Sequence, residues 1–451
     1  MYGINISACY LSRRCYSQFQ SRSRLFGERI QQVMTVQSIT KLVRPVISGS
    51  LTILTIVLFN AAPKRVEASS LVNITVVANS LNNPRGIAFD SNQALYVAEA
   101  GRGGSGPIID GPELGVGLVF GQTGAITRVQ NGIQERIITG LPSLTLNPQG
   151  APLPSVNGSD GPAIGPHDII FDEAGNLLIA IGFASNPSLR GNLGSPGSDM
   201  GQVVKYSSIN GNWQKQGGFS TDLANYEQTN NPDQRGLISN PYGLKRLDNN
   251  KTLVVDAGAN ALFEFDAIGN LSLVTTFDTR LVNGIVMEAV PTRVALGPDG
   301  AYYVSELTGV PFPEGGARVY RIVPNQAPEI YADGFTQITG IEFDRSGNLY
   351  VLEYAVNSLL SPNNQLIGRL TQIAPNGQRT AVIDADGTLI APNNITLGPD
   401  GDLYIANRST FAGQGEIIRL DIASVPESAS PISILIFGGL GLGWMIRRNR
   451  N

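Results

Sequence analysis

A six-bladed β-propeller, all-β and closed by its own N-terminal strand, is the fold that this sequence predicts. Three observations carry the expectation. One motif recurs six times, the second strand of each copy is an almost unbroken apolar run, and the two ends of the array are complementary. The last copy stops one strand short, whereas the first is preceded by a spare strand, Ile74–Ala78.

The template is Asn83-Pro84-Arg85-Gly86-Ile87-Ala88-Phe89-Asp90 followed by Ala94-Leu95-Tyr96-Val97-Ala98-Glu99. It returns at Gly165-Pro166-His167-Asp168, Asn240-Pro241-Tyr242-Gly243, Val290-Pro291-Thr292-Arg293, Ile338-Thr339-Gly340 and Ala391-Pro392-Asn393-Asn394, each with its own second strand. Measured at the residue closing the first strand, the spacings are 82, 76, 49, 47 and 54 residues. Intervals of about 45–50 residues suit a four-stranded blade, and the two long ones read as blades with insertions.

Each element has a local reason. Turns such as Pro298-Asp299-Gly300, Ser346-Gly347-Asn348 and Pro399-Asp400-Gly401 supply tight hairpin chemistry between first and second strands. A second strand without polar alternation implies burial on both faces, as between packed neighbours. Third and fourth strands follow at Phe263–Asp266 and Ser272–Phe277, and at Val319–Val323 and Glu329–Tyr331. Pairing Ile74–Ala78 with the final strand, Glu416–Ile422, would remove an open sheet edge. No helix signal stands out within the region.

Composition narrows the function. Only 7% of the 451 residues are aromatic, so a stacking platform for nucleic acid has little to build on. Residues 71–430 hold 20 basic against 34 acidic residues, a net charge of −14 that repels a phosphate backbone. With one histidine, His167, a zinc site using two imidazoles is excluded. The only cysteines, Cys9 and Cys15, precede the repeats, which excludes a disulfide framework there.

The ends read as sorting segments. Residues 1–68 are assigned to a leader: Lys41 and Arg44 precede an apolar run, Val46–Ala62, and small residues up to Ala68 offer a cleavage site. Met34 is a candidate true start; the other reading makes residues 1–33, with five arginines, a transit-like leader. Residues 69–424 form the propeller, and residues 425–451 a second signal. There Val425-Pro426-Glu427-Ser428 leads into the apolar run Pro431–Ile446 and then Arg447, Arg448 and Arg450. An ordinary short transmembrane anchor is one reading. The order of parts also resembles the PEP-CTERM sorting signal, with Ser428 in place of that family's second proline. The resemblance implies cleavage near Pro426 by an exosortase, transient membrane anchoring, and a periplasmic, extracellular or cell-surface destination.

Alternating strand direction places every long connection on one face: Gly101–Gly124, Leu141–Pro166, Gly182–Gly201, Leu223–Pro241 and Thr308–Gly316. Binding groups concentrate on loops held by a rigid scaffold, so the site is expected on this face, at the mouth of the central channel. Inner strands begin there with Arg85, His167, Tyr242, Thr292, Thr339 and Asn393. Asp168 and Arg293 come one residue later, and second strands end there with Glu99, Asp256, Glu306, Glu353 and Asn407. Oxygen ligands gathered in this way would suit a hard divalent cation such as calcium. The competing reading pairs the acids with Arg85, Arg293 or backbone amides, and no cofactor is then required. His167 beside Asp168 could move a proton, although no nucleophile is identifiable by spacing. Gly101-Arg102-Gly103-Gly104 opens no helix and reads as loop rather than phosphate cradle.

Over residues 71–422 the chain resembles the ScyD/ScyE family of exported propellers, relatives of NHL-repeat proteins. The carrying segments are Gly165-Pro166-His167-Asp168-Ile169, Asn240–Leu244, Val255–Asn260, and Val290-Pro291-Thr292 through Gly300–Gly309 to Pro311-Phe312-Pro313. The resemblance implies export and, through cyanobacterial members, a link to the extracellular pigment scytonemin; it supplies no catalytic residues. Two functions follow. One is a binding or assembly factor for a small molecule or surface polymer. The other is a metal-dependent propeller hydrolase or lyase of gluconolactonase-like type.

Overall fold

The computed structural model describes residues 73–112, 115–146, 161–361 and 365–422. The expected leader, with Ala68, and the sorting segment, with Pro426, Glu427, Arg447 and Arg448, lie outside the described residues. Among the described residues no helix is long and apolar enough to cross a membrane.

The fold is all-β, as expected. Among the described residues six sheets of four or more strands follow one another, each starting from the predicted motif. Sheet 1 contains Pro84–Phe89, Leu95–Glu99, Val116–Gln130, Ile133–Leu146 and Ala163–Ile164 in spatial order, with Ile108–Gly111 added on Val116–Gln130. Sheet 2 contains Pro166–Phe171, Leu177–Ile181, Gln202–Ile209 and Asn212–Lys215, with Thr221–Asp222 paired to its third strand. Sheet 3 contains Pro241–Arg246, Thr252–Asp256, Ala261–Phe265 and Leu271–Thr276. Sheet 4 contains Pro291–Leu296, Tyr302–Glu306, Ala317–Ile322 and Glu329–Phe335. Sheet 5 contains Ile338–Phe343, Leu349–Glu353, Arg369–Ile373 and Arg379–Ile383. Sheet 6 contains Asn394–Leu397, Leu403–Asn407, Gly415–Leu420 and, as its fourth strand, Ile74–Leu81. Ile74 lies opposite Leu420 and Leu81 opposite Gly415 in that antiparallel pairing.

Innermost strands contact one another in cyclic order, sheet 6 against sheet 1 included. Between sheets 6 and 1 the core holds Ala78, Leu81, Ile87, Val97, Ala406 and Ile417, so both chain ends contribute to one apolar layer. Comparable layers separate the other neighbours, for instance Tyr96, Ile126, Ile169 and Ile179 between sheets 1 and 2. Second strands such as Leu177–Ile181 and Leu349–Glu353 are buried at every position, as their unbroken apolar runs predict. Turn chemistry follows the sequence. Asp344 Oδ1 accepts the amides of Ser346 and Asn348, and Gly347 supplies φ 83°.

Two expectations need correction. The stretches 101–124 and 141–166 are not simply loops, because two strands of sheet 1 extend into them as Val116–Gln130 and Ile133–Leu146, 15 and 14 residues long. A helix, Leu223–Asn230, also occurs where no helix signal was read. Its hydrophobic pattern is weak, and its ends define it instead. Asp222 caps the amide of Asn225, and Asn231 closes the helix in the left-handed region at φ 39°.

Candidate functional site

Five of the six inner strands carry a β-bulge just after their first residue: between Pro84 and Ile87, Pro166 and Asp168, Pro241 and Leu244, Pro291 and Arg293, and Ile338 and Gly340. A bulge breaks the alternation of side chains. Consecutive residues such as His167-Asp168 and Thr292-Arg293 can therefore both join the central network. The second residue of the pair is Gly86, Gly243 and Gly340 in sheets 1, 3 and 5, and Asp168, Arg293 and Asn394 in sheets 2, 4 and 6. The glycines make the room. A Cβ on Gly86 would lie 2.5 Å from the Asp168 Cα and Oδ1, and one on Gly243 2.6 Å from the Thr292 carbonyl oxygen.

The central residues form one connected polar network. Arg85 Nη1 donates to the Tyr242 hydroxyl at 3.4 Å, and Arg85 Nη2 to the Ala163 carbonyl at 3.0 Å. The same hydroxyl accepts from Asn393 Nδ2 at 2.6 Å, while Asn393 Oδ1 accepts from Arg293 Nη2 at 3.1 Å. That guanidinium partner fixes which way the Asn393 amide faces. Arg293 Nη1 is paired with Asp168 Oδ2 at 2.8 Å, and its Nε donates to the Thr339 carbonyl at 3.2 Å. Asp168 also accepts the Leu244 amide at 2.8 Å and Asn394 Nδ2 at 3.3 Å. Every sheet thus contributes. Arg85, His167, Asp168, Arg293, Thr339, Asn393 and Asn394 are all buried, and Tyr242 alone among the nominated inner-strand residues is partly exposed.

His167 is packed so that its ring has one fixed edge. Its Nδ1 lies 3.1 Å from the Pro241 carbonyl oxygen, which requires the proton on Nδ1 and leaves Nε2 the basic nitrogen. Gly182 opens the space, since a Cβ there would lie 2.2 Å from the imidazole Cε1. Burial, together with the positive charges of Arg85 and then Arg293, pushes the imidazole well below its usual range, while the Pro241 carbonyl opposes the shift. The ring is accordingly neutral at pH 7. Burial pushes the Asp168 carboxyl up, against the pull of Arg293 and the Leu244 amide.

The acids that end the second strands do not join this cluster, and the expected carboxylate ring is corrected. Each is buried within its own sheet's connections. Glu99 is held by Arg136 through both oxygens, at 2.9 and 2.8 Å, and accepts the Asn82 amide at 2.6 Å. Asp256 accepts the amides of Asn240, Gly258 and Ala259 and the Ser239 hydroxyl. Glu306 is paired with Arg280 and with the Tyr320 hydroxyl. Glu353 accepts the Thr336 amide at 2.7 Å and faces Arg369 at 3.9 Å. Asn407 accepts the Ile390 amide at 2.8 Å and donates to Glu416. In four of these cases the side chain ties the end of the second strand to the segment that enters the same sheet's inner strand. Arg85 and Arg293, named as partners for the acids, hold none of them; Arg136, Arg280 and Arg369 do. Among the described residues no group of three His, Cys, Asp or Glu side chains is placed to hold a metal ion.

Two features were not anticipated. Glu227, on the helix Leu223–Asn230, is buried with neither carboxyl oxygen hydrogen-bonded among the described residues. Burial, with the nearby Asp256 and Asp233 charges, pushes it up to about 8. A cleft lined by Asp172, Lys205, Phe219, Arg246 and Asp266 lies on the opposite face, among the short turns. No motif marks either feature: Glu227 stands in an insertion, and the cleft gathers residues from separate strands and turns of sheets 2 and 3.

No protein-family model matches the chain, and no curated protein matches it. Among solved structures it is similar to a streptogramin B lyase, at 13% identity and TM-score 0.41 over 78% of this chain and 98% of that one. It is similar to a putative gluconolactonase, at 12% identity and TM-score 0.43 over 78% and 93% of the two chains. It is also similar to regucalcin, a calcium-binding protein from Agrobacterium tumefaciens, at 10% identity and TM-score 0.41 over 76% and 93%. At these identities and scores the likenesses assign no activity.

Proposed function

We propose that the chain is an exported six-bladed β-propeller, closed by its N-terminal strand, that binds a small molecule at the long-loop mouth of its central channel. Closure is supported by the pairing of Ile74–Leu81 with Gly415–Leu420 and by the apolar layer between sheets 6 and 1. The observation that carries the binding reading is Tyr242. It is partly exposed, and its hydroxyl is held by both Asn393 and Arg85 over a network that draws on all six sheets. Preorganised polar groups on a rigid scaffold are what a small-molecule site needs. Export and sorting rest on the two terminal signals, and a place in scytonemin-type extracellular metabolism rests on the family resemblance.

A second reading, a propeller hydrolase or lyase, is favoured by His167. With Nδ1 anchored on the Pro241 carbonyl and the ring neutral, Nε2 is the nitrogen that can accept a proton. A divalent ion, if one serves this reading, would need ligands other than the five strand-end residues. The test is equilibrium binding of scytonemin precursors and sugar lactones to the full chain and to Tyr242→Phe, followed by turnover assays with His167→Asn. Binding lost in Tyr242→Phe supports the site. Turnover lost in His167→Asn, with binding retained, supports the enzyme. Equal binding to Tyr242→Phe and the unaltered chain refutes the Tyr242 site, and turnover unchanged in His167→Asn refutes the enzyme.

A further inference from the structure

The central network holds two buried guanidinium groups and one carboxylate, and the carboxylate belongs to Arg293. Asp168 is 2.8 Å from Arg293 Nη1, whereas Arg85 has no acidic partner among the described residues. Arg85 is 7% exposed, its Nε has no hydrogen-bond partner, and only two of its five N–H donors are engaged. His167 is neutral and cancels nothing. A buried cation without a counter-charge is costly, and it stands here inside a strongly acidic protein.

Tyr242 adds a second unfilled donor. Its oxygen already accepts from Asn393 Nδ2 and Arg85 Nη1, so its own proton is left to donate elsewhere. The two unfilled donors are adjacent, and Tyr242 is the partly exposed member of the pair.

We infer that Arg85 and the Tyr242 hydroxyl form an anion-recognition point at the channel mouth that takes a carboxylate group of the ligand. One uncompensated positive charge matches a monoanion, and a guanidinium matches a planar carboxylate with paired N–H donors. This rests on the small-molecule reading above and names the chemical class of its ligand.

The protein's only histidine reports on the site. Arg85 is one of the charges that depress His167, so an anion bound at Arg85 raises that imidazole toward its usual range. The probes are benzoate and its neutral isostere benzamide, added to the full chain without a histidine tag while the imidazole resonance is followed by NMR. At about 100 mM, a hundredfold over a Kd of ~1 mM, benzoate should shift the resonance and raise its titration midpoint, and benzamide should not. Arg85→Gln should raise the midpoint without any probe and abolish the benzoate response. Arg85→Lys, which keeps the charge but loses the fork, should fold and weaken benzoate at least about tenfold. No benzoate response, equal responses to both probes, or a response retained in Arg85→Gln overturns the inference. A response to benzamide alone that Tyr242→Phe removes overturns the carboxylate and leaves the small-molecule site standing.

Discussion

Replacing Arg293 by methionine tests whether the centre of the ring is held as one network. Met fills much of the same volume but removes the ion pair to Asp168 and the bonds to the Thr339 carbonyl and Asn393 Oδ1. Removing one partner of a buried pair costs about 3–5 kcal/mol, because the remaining charge stays buried. Two lost acceptor contacts add roughly 1 kcal/mol each, so the expected cost is about 5–7 kcal/mol, a large part of the stability of a typical domain. Urea unfolding at fixed pH measures it. The double change Arg293→Met with Asp168→Leu should recover about 2–3 kcal/mol, since no stranded carboxylate is left.

The sign of the pH dependence sharpens the test. Without Arg293, burial of Asp168 is opposed mainly by the Leu244 and Ile169 amides, and its folded value rises further above the unfolded one. A carboxyl raised on folding contributes stability below the unfolded value of about 4 and loses it as pH climbs through the folded value. The deficit of Arg293→Met should therefore widen from pH 4 upward. A deficit under about 1 kcal/mol, or one that narrows as pH rises, would refute a shared network.

Four further outcomes follow. Gly86→Ala should cost about 3 kcal/mol by urea unfolding, because its Cβ would fall 2.5 Å from Asp168. The double change Glu306→Gln with Glu353→Gln should lower Tm equally with calcium and with chelator, because Arg280, Tyr320 and the Thr336 amide are the partners lost; a calcium-induced rise in Tm that the double change abolishes would restore the metal reading. Deleting Ile74–Ala78 should lower Tm and promote aggregation by opening the edge of sheet 6. Glu227→Gln should stabilise the protein on the order of 4 kcal/mol at pH 8. Its folded value, about 8, lies above the usual one, so its contribution is present at acid pH and lost as pH rises to 8; the gain should vanish near pH 4.

Much of this was legible in the sequence because the six repeats write their geometry locally. Proline followed by a polar residue marked the start of five inner strands, and the central residues Arg85, His167, Asp168, Tyr242, Arg293 and Asn393 were all named on that basis. The strand-end acids were misplaced for a reason also written locally. Glu99 shares strand parity with Leu95 and Val97, which pack in the layer toward sheet 6, so its side chain belongs to a sheet face and not to the channel. Its partner Arg136 was not legible, because it stands outside the repeated first and second strands, on Ile133–Leu146, where no motif marks the position. Arg280 was hidden similarly, on the short hairpin Arg280–Val282 and Ile285–Met287 between sheets 3 and 4.

The alternation of glycine with Asp168, Arg293 and Asn394 has a consequence for where chemistry can occur. Gly86 lies against Asp168 and Gly243 against Arg293, and the bonds of these polar side chains link sheets that are not neighbours, such as sheets 2 and 4 through Asp168 and Arg293. Those bonds occupy the channel, and the residues making them are nearly inaccessible. Deep in the channel, then, the groups hold the sheets together; the residue a ligand meets first is Tyr242, which is partly exposed, with the buried Arg85 bonded directly to its hydroxyl. The two layers remain coupled, because Asn393 bonds Arg293 below and Tyr242 above. A substitution at Arg293 should thus loosen the Tyr242 hydroxyl as well as the network below it, so ligand affinity and stability should fall together there, whereas Tyr242→Phe keeps the Arg293–Asp168 pair and should lower affinity with a smaller loss of stability, that of the Asn393 and Arg85 bonds to the hydroxyl.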